Sequence, residues 1–152
     1  METEKKDEKN KISVGLIISR DEIEKNKIFP DEVKKEIAKA DFYLLIYISR
    51  EDVVKISCFP SKTDNIKKIL VRLKEFSPEL VKGISYVLKE LKLSEDIIHT
   101  TGLCYEMENC FYETYLIGDF FQSEENIKKV KENFMAIGEV ISVIIEDIPK
   151  LM

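Results

Sequence analysis

Two short stretches carry the side chains best suited to bind a small molecule. In the first, Ser77 is a good helix N-cap, and Pro78 suits the first helical position. Helix N-terminal amides and the Ser77 hydroxyl can receive a carboxylate or another anion, although an ordinary helix cap explains the same pattern. The second stretch holds a histidine and two threonines. The candidate ligand-binding residues are Phe76, Ser77, Pro78, Glu79, His99, Thr100 and Thr101.

The sequence does not predict an enzyme. His99 is the only histidine, and no carboxylate stands beside it in sequence to make an acid–base pair, so a structural histidine is the favoured interpretation. The chain has no phosphate-binding glycine loop, no dinucleotide-binding glycine motif and no nucleophile elbow. We therefore name no catalytic residue and expect no cofactor.

The three cysteines do not suggest a metal site. They form no C-x-x-C pair, and a single histidine cannot complete the usual zinc ligand set. Cys104 and Cys110 flank a short predicted hairpin turn, where they form either a cross-strand disulfide or redox pair, or two small buried apolar side chains. We favour the buried thiols, because spacing alone does not satisfy disulfide geometry.

Large aromatic residues occupy both faces of the same hairpin. Phe111 and Tyr115 share one face under the two-residue period of a strand, and Tyr112 takes the other. A sheet with helices on one face must have its other face covered, either by the N-terminal part of the chain or by another subunit. Because interfaces favour tyrosine and phenylalanine, we predict that Phe111, Tyr112 and Tyr115 are interface residues.

The elements that position these residues follow from caps and apolar periodicity. Strands are predicted at residues 66–73, 96–105, 109–117 and 140–146, with one helix from Pro78 to about Lys92 and another capped by Ser123. Gly138 is expected to end the second helix in the left-handed conformation. The order β-α-β-β-α-β predicts an α+β fold of the ferredoxin-like kind, with both helices on one face of an antiparallel sheet.

The first part of the chain predicts a smaller unit. Residues 12–60 contain a strand with Ile12, Val14, Leu16 and Ile18 on one face, then a helix from Pro30 to about Ala40 and a hairpin. This β-α-β-β half is expected to extend the sheet or to pack on it. Residues 1–11 are charged and polar and are expected to form a disordered tail.

Composition limits the possible partners. The net charge of -5 argues against nonspecific nucleic-acid binding, and the RNA-binding motif of similar folds is absent. No apolar stretch has the length of a membrane span, and no secretory signal is present, so we expect a cytoplasmic protein without membrane contact. The richness in lysine and glutamate is typical of thermophilic, archaeal-like proteomes.

Residues 66–148 resemble the ACT domain, a small ligand-binding regulatory fold. The likeness lies in the passage from Leu73 to Leu80, the passage from Leu88 to Thr101, and the closing turn from Ile137 to Val143. The family commonly has a glycine where Pro78 stands, and proline has no N–H to offer a ligand.

The resemblance implies a regulatory protein that binds an amino acid or similar small metabolite at a domain or subunit interface. It also implies a homodimer that acts in trans on a regulated enzyme or transcription factor. The alternative is a non-catalytic assembly or adaptor module that works through a sheet face or an edge strand.

Overall fold

The computed structural model describes residues 10–106 and 109–151, which form seven strands and four α-helices. The predicted tail, residues 1–11, lies almost entirely outside this range, so its disorder stays a prediction. The elements are β1 Ser13–Ser19, α1 Arg20–Lys25, α2 Asp31–Glu36, β2 Phe42–Arg50, β3 Val53–Ser61, β4 Ile66–Leu73, α3 Pro78–Glu90, β5 Ile97–Tyr105, β6 Asn109–Ile117, α4 Glu124–Met135 and β7 Val140–Asp147.

The second part of the chain forms a four-stranded antiparallel sheet in the order β5-β6-β4-β7. Both α3 and α4 pack on one face of this sheet, around Ile69, Val71 and Leu73 of β4. The predicted apolar stripe of α3 is confirmed, and its members are buried against the sheet: Leu80, Ile84, Val87, Leu88 and Leu91.

The first part forms a three-stranded antiparallel sheet in the order β1-β2-β3. One face of it packs on the four-stranded sheet, where Ile17 and Leu44 meet Ile66 and Tyr115. Its other face carries α1 and the segment around α2, packed on residues such as Tyr43. The chain is therefore a four-layer α/β/β/α structure, an α+β architecture with two antiparallel sheets.

Val14, Leu16 and Ile18 share one face of β1, as predicted, whereas Ile12 precedes the strand and packs on Leu70 and Phe111. Gly15 and Ile17 face the other sheet, whereas Val14 is half-exposed on the outer side. Both faces of the strand are partly covered, so the two-residue period did not identify the inner face. The single predicted helix differs, because Ser19 caps a separate α1 by accepting a hydrogen bond from the N–H of Glu22.

The predicted left-handed conformation of Gly138 is wrong. Helix α4 ends at Met135, the following Ala136 keeps right-handed backbone angles, and no glycine in the described ranges has a positive φ. The chain leaves the helix through two successive turns, in which Ile137 donates to the carbonyl of Phe134 and Val140 donates to that of Ile137. A left-handed residue is not required there.

The close contact of the two sheets at Gly15 gives the first prediction. A Cβ at this position would lie 2.6 Å from Cε2 of Tyr115. The Tyr115 ring is buried between the two sheets and is therefore expected to shift only at a cost in packing. We expect Gly15→Ala to lower the free energy of unfolding by about 1–3 kcal/mol, the usual effect of overpacking. Urea denaturation followed by circular dichroism measures the change.

Gly138→Ala is the matched control, because a Cβ there meets no atom within 4 Å. Its stability should stay within about 1 kcal/mol of the wild type, since the backbone accepts alanine. Equal losses for the two variants would contradict the tight packing of the sheets at Gly15.

Candidate functional site between the two sheets

The predicted ligand loop is an ordinary helix start in the structure. The Ser77 Oγ accepts a hydrogen bond from the N–H of Leu80 at 3.1 Å, and Pro78 is the first residue of α3. The Phe76 ring lies over Gly102 of β5, where a Cβ would meet its Cζ atom at 2.7 Å. Glu79 is exposed in the first turn. The loop and β5 thus meet through packing.

The remaining predicted residues are divided between two faces of the four-stranded sheet. His99 and Thr101 face the three-stranded sheet, and their side chains are 2.8 Å apart between Nε2 and Oγ1. The His99 ring also contacts Phe59 of β3, with 5.0 Å between ring centroids. Thr100 lies opposite Thr114 in the ladder and faces the helices. The seven residues do not form one site, and ligand binding by them stays a prediction.

The predicted interface residues are covered by their own chain. Phe111 and Tyr115 are buried between the two sheets, next to Ile12 and Ile17 respectively. Tyr112 lies on the helix side, as its alternation with them predicted. The N-terminal sheet is therefore the cover of the second face, and no second subunit is needed to bury these rings.

Cys104 and Cys110 are joined by a disulfide bond. The favoured interpretation of two buried thiols is therefore wrong. The two residues are direct cross-strand partners in the ladder of β5 and β6, a pairing that depends on the register of the hairpin. Cys58 is free and half-buried, and burial raises the pKa of its thiol.

A buried ion pair within the four-stranded sheet binds the start of β1 from the other sheet. Lys68 of β4 and Glu113 of β6 are 1% and 0% exposed, and Lys68 Nζ lies 3.2 Å from Glu113 Oε2. Lys68 Nζ also donates to the carbonyl of Ser13 at 2.7 Å, and Glu146 stands 3.9 Å away. Desolvation lowers the pKa of Lys68, although the two carboxylates oppose this effect. Burial of both charges is therefore offset by direct partners.

The Glu113 carboxylate also receives the start of β1. The backbone N–H of Ile12 donates to Oε2 at 2.6 Å, that of Ser13 donates to Oε1 at 3.1 Å, and the Ser13 hydroxyl donates to Oε1. The Tyr115 hydroxyl lies 2.7 Å from the Ser13 Oγ and donates to it, because the Ser13 proton is already used. Burial raises the pKa of Tyr115 well above its usual range.

These residues were missed by sequence reasoning, although a signal exists. Lys68 alternates with Ile66 and Leu70, and Glu113 alternates with Phe111 and Tyr115, so each charge lies within an apolar stripe. Opposite charges in two apolar stripes that face the same layer must pair with each other or with other polar groups, because burying an unpaired charge costs free energy. Only the strand pairing shows which partner each charge has.

A cavity of about 180 Å³ lies on the same sheet face, beyond the ion pair. Successive rows across the sheet are Tyr115 with Lys68, then Glu113 with Leu70, then Phe111 with Arg72. The ion pair thus spans the first two rows, and the cavity follows along both strands. Its lining residues are Asn10, Leu70, Arg72, Asn109, Phe111, Ser142 and Ile144.

The lining residues that the structure describes combine the Arg72 cation with an apolar floor. Arg72 is exposed and makes no ion pair within the part of the chain that the structure describes. Leu70, Phe111 and Ile144 supply apolar surface, and Ser142 supplies a hydroxyl. A guanidinium holds a carboxylate through two parallel hydrogen bonds, while the apolar floor suits a short hydrocarbon group.

Residues 10–106 and 109–151 contain no group of three or more His, Cys, Asp or Glu that could hold a metal ion. Within the same residues, no helix is long and apolar enough to cross a membrane.

No protein-family model matches the chain, and no curated protein matches its sequence. The resemblance to the ACT domain therefore stays a prediction.

The second prediction concerns the ion pair. Lys68→Met leaves Glu113 buried without its countercharge, so the free energy of unfolding should fall by about 3–5 kcal/mol. In the double variant Lys68→Met/Glu113→Gln, the amide oxygen still accepts hydrogen bonds from β1. Its loss of unfolding free energy should be smaller than the sum of the losses in Lys68→Met and Glu113→Gln alone. Urea denaturation of the wild type, both single variants and the double variant gives this difference.

Lys67 provides the control on the neighbouring position of β4. It pairs with Asp147, whose side chain is 84% exposed, so Lys67→Met should change stability by no more than about 1 kcal/mol. Additive losses at Lys68 and Glu113, or equal effects at Lys67 and Lys68, would show that the buried pair does not act as a unit.

Proposed function

We propose that the chain is a regulatory protein of the ACT-like kind that binds a small carboxylate metabolite, such as an amino acid or a related acid. Three features support a ferredoxin-like assignment for residues 66–148. The element order is β-α-β-β-α-β, and the sheet order β5-β6-β4-β7 places the first and third strands of the unit in the centre. Both helices pack on one face, as such a unit requires.

The Arg72 cavity is the observation that carries the proposal. It lies on the sheet face shared with the N-terminal unit, and Asn10 lines it from the segment that precedes β1. Its volume of about 180 Å³ corresponds to roughly six water molecules at about 30 Å³ each. This space suits a small carboxylic acid, with its carboxylate at Arg72 and its apolar part near Ile144.

Binding at this position would have a direct structural consequence. Asn10 belongs to the segment leading into β1, whereas Arg72 and Ser142 belong to the four-stranded sheet. A ligand that contacts both would favour the arrangement in which the N-terminal segment is docked on the sheet. A partner enzyme or transcription factor that distinguishes the docked from the undocked arrangement would then respond to the metabolite.

The third prediction tests the cavity. Aliphatic monocarboxylates, 2-oxo acids and amino acids are titrated into labelled protein, with amide NMR shifts and isothermal calorimetry as readouts. We expect shifts centred on Arg72, Phe111 and Ile144, and an affinity at least about tenfold weaker in Arg72→Gln. Among residues 10–106 and 109–151, no acidic side chain lines the cavity, so a 2-oxo acid should bind more tightly than its amino acid, whose ammonium lacks a countercharge.

Lys74→Gln is the matched control, because it removes the same charge two residues further along and does not line the cavity. It should bind like the wild type. If no compound of the panel binds, or if Lys74→Gln weakens binding as much as Arg72→Gln, the cavity does not have the proposed function.

An assembly function is the second candidate, supported by the outer face of the three-stranded sheet. Val14, Tyr47 and Ile56 are paired in a row across β1, β2 and β3, and both Val14 and Ile56 are 50% exposed. Strand β3 is also at the edge of its sheet, where its outward backbone groups can pair with another strand. A second copy of the chain, giving a homodimer, is the simplest partner.

The fourth prediction tests this assembly by light scattering after size exclusion. If the row pairs two copies, the wild type is a dimer and Ile56→Lys is a monomer, because a buried lysine without a partner opposes association. Val33→Lys changes a similarly exposed residue on α2, outside the row, and should remain a dimer. A monomeric wild type at high protein concentration would remove this candidate.

A further inference from the structure

The disulfide closes the end of the β5–β6 hairpin and joins two residues of unequal exposure. Cys104 is exposed, whereas Cys110 is 1% exposed and belongs to the core beneath α3 and α4. Because Cys104 is the exposed residue of the pair, we expect an approaching thiolate to reach its sulfur before that of Cys110. Access to one sulfur of a pair is a main determinant of thiol–disulfide exchange.

We propose that Cys104–Cys110 is a thiol–disulfide exchange site, attacked at Cys104, whose redox state controls the order of the Arg72 cavity. The co-reactant is a low-molecular-weight thiol. The effect on ligand affinity rests on the proposed carboxylate function. The exchange and the loosening of the cavity wall stand independently of that function.

The reaction is balanced by two thiols. A first thiolate attacks Cys104, forms a mixed disulfide with it and expels Cys110 as a thiolate, which takes up a proton. A second thiolate attacks the mixed disulfide, releases Cys104 and leaves the two small thiols joined to each other. The protein bridge gains two electrons and two protons, and the two thiols lose them.

The bridge is linked to the cavity through its immediate neighbours. Cys110 stands between Asn109 and Phe111, which both line the cavity. Cys104 precedes Tyr105, whose hydroxyl donates to the carbonyl of Lys11 at 3.3 Å and whose ring meets Phe111 edge-on at 6.2 Å. The end of the hairpin therefore positions both the cavity wall and the segment before β1.

Reduction removes the covalent link at this end of the hairpin. The ladder of β5 and β6 then ends in strand pairs that are free to open, and Tyr105 loses its fixed position over Phe111. The core of the sheet is held elsewhere by Leu73 and the helices. Opening should stay local to the hairpin end and to the segment around Lys11.

Cys58 is not a competing partner in this exchange. It packs on the outer side of the three-stranded sheet, in the cluster with Tyr43 and Leu45, whereas Cys110 packs beneath α3 and α4 on the other sheet. Burial raises the pKa of the Cys58 thiol, which lowers its thiolate fraction at neutral pH. The attacking thiol must therefore come from solution.

The fifth prediction concerns the site of attack. The folded protein is incubated with mixtures of 2-mercaptoethanol and its disulfide, which are uncharged and leave the Arg72 site empty, and is then alkylated and mapped by mass spectrometry. We expect the mixed disulfide on Cys104, with Cys110 as the released thiol, and the same result in Cys58→Ser. An adduct mainly on Cys110, or a bridge that reacts only in denaturant, would overturn the proposal.

Amide hydrogen exchange tests the link to the cavity in the same samples. On reduction, the amides of Ile12, Ser13 and Phe111 should exchange about tenfold faster or more, while those of Ile84 and Val130 keep their rates. Cys104→Ser should reproduce the reduced pattern under oxidising conditions. A uniform acceleration over the whole chain would assign the bridge a purely stabilising role and overturn the control of the cavity.

Ligand titration separates this inference from the proposed function. A carboxylate that binds the oxidised protein should bind the reduced protein with an affinity at least about fivefold lower. Equal affinity in both states would overturn the redox control and leave the carboxylate site intact. Local acceleration of exchange without binding in either state would support the redox site and overturn the carboxylate function.

Discussion

The buried ion pair of Lys68 and Glu113 is the constraint on which the arrangement of the two sheets depends. Two charges without access to water need direct partners, and here each lies on a different central strand of one sheet. Their remaining hydrogen-bonding capacity is satisfied by the backbone at the start of β1. A displacement of β1 by one residue would leave a buried carboxylate without its donors, so the pair also specifies the docking register.

The same sheet face has a structural part and an open part. Around Ile66 and Tyr115 it is covered by β1 and β2, and its polar groups are paired within the protein. Six residues further along β4, Arg72 is exposed beside apolar surface. The charges of this face are thus paired within the protein at one end, and a cation is exposed at the other. The position of the N-terminal segment connects the two ends.

Local elements of the larger unit followed directly from sequence. The caps at Ser77 and Ser123 and the stripe along α3 describe contacts between near neighbours in the chain, and the structure contains them. The expectation that something covers the aromatic face of the hairpin was also confirmed, because the apolar character of Phe111 and Tyr115 demanded it. Errors occurred where two interpretations had local support, as for the end of α4 and for the thiols of Cys104 and Cys110.

The sequence by itself determined the secondary structure of residues 66–148, the polar character of the loops and the need to bury a second sheet face. These properties depend on residue type and on periods of two or 3.6 residues. Only the tertiary structure decided which strands are neighbours. That choice joined Lys68 to Glu113, placed Cys104 opposite Cys110, separated His99 from Ser77 and left Arg72 at an open cavity. Contacts between residues 45 to 102 positions apart have no local signature, because they arise from strand register and sheet docking and not from neighbouring residues.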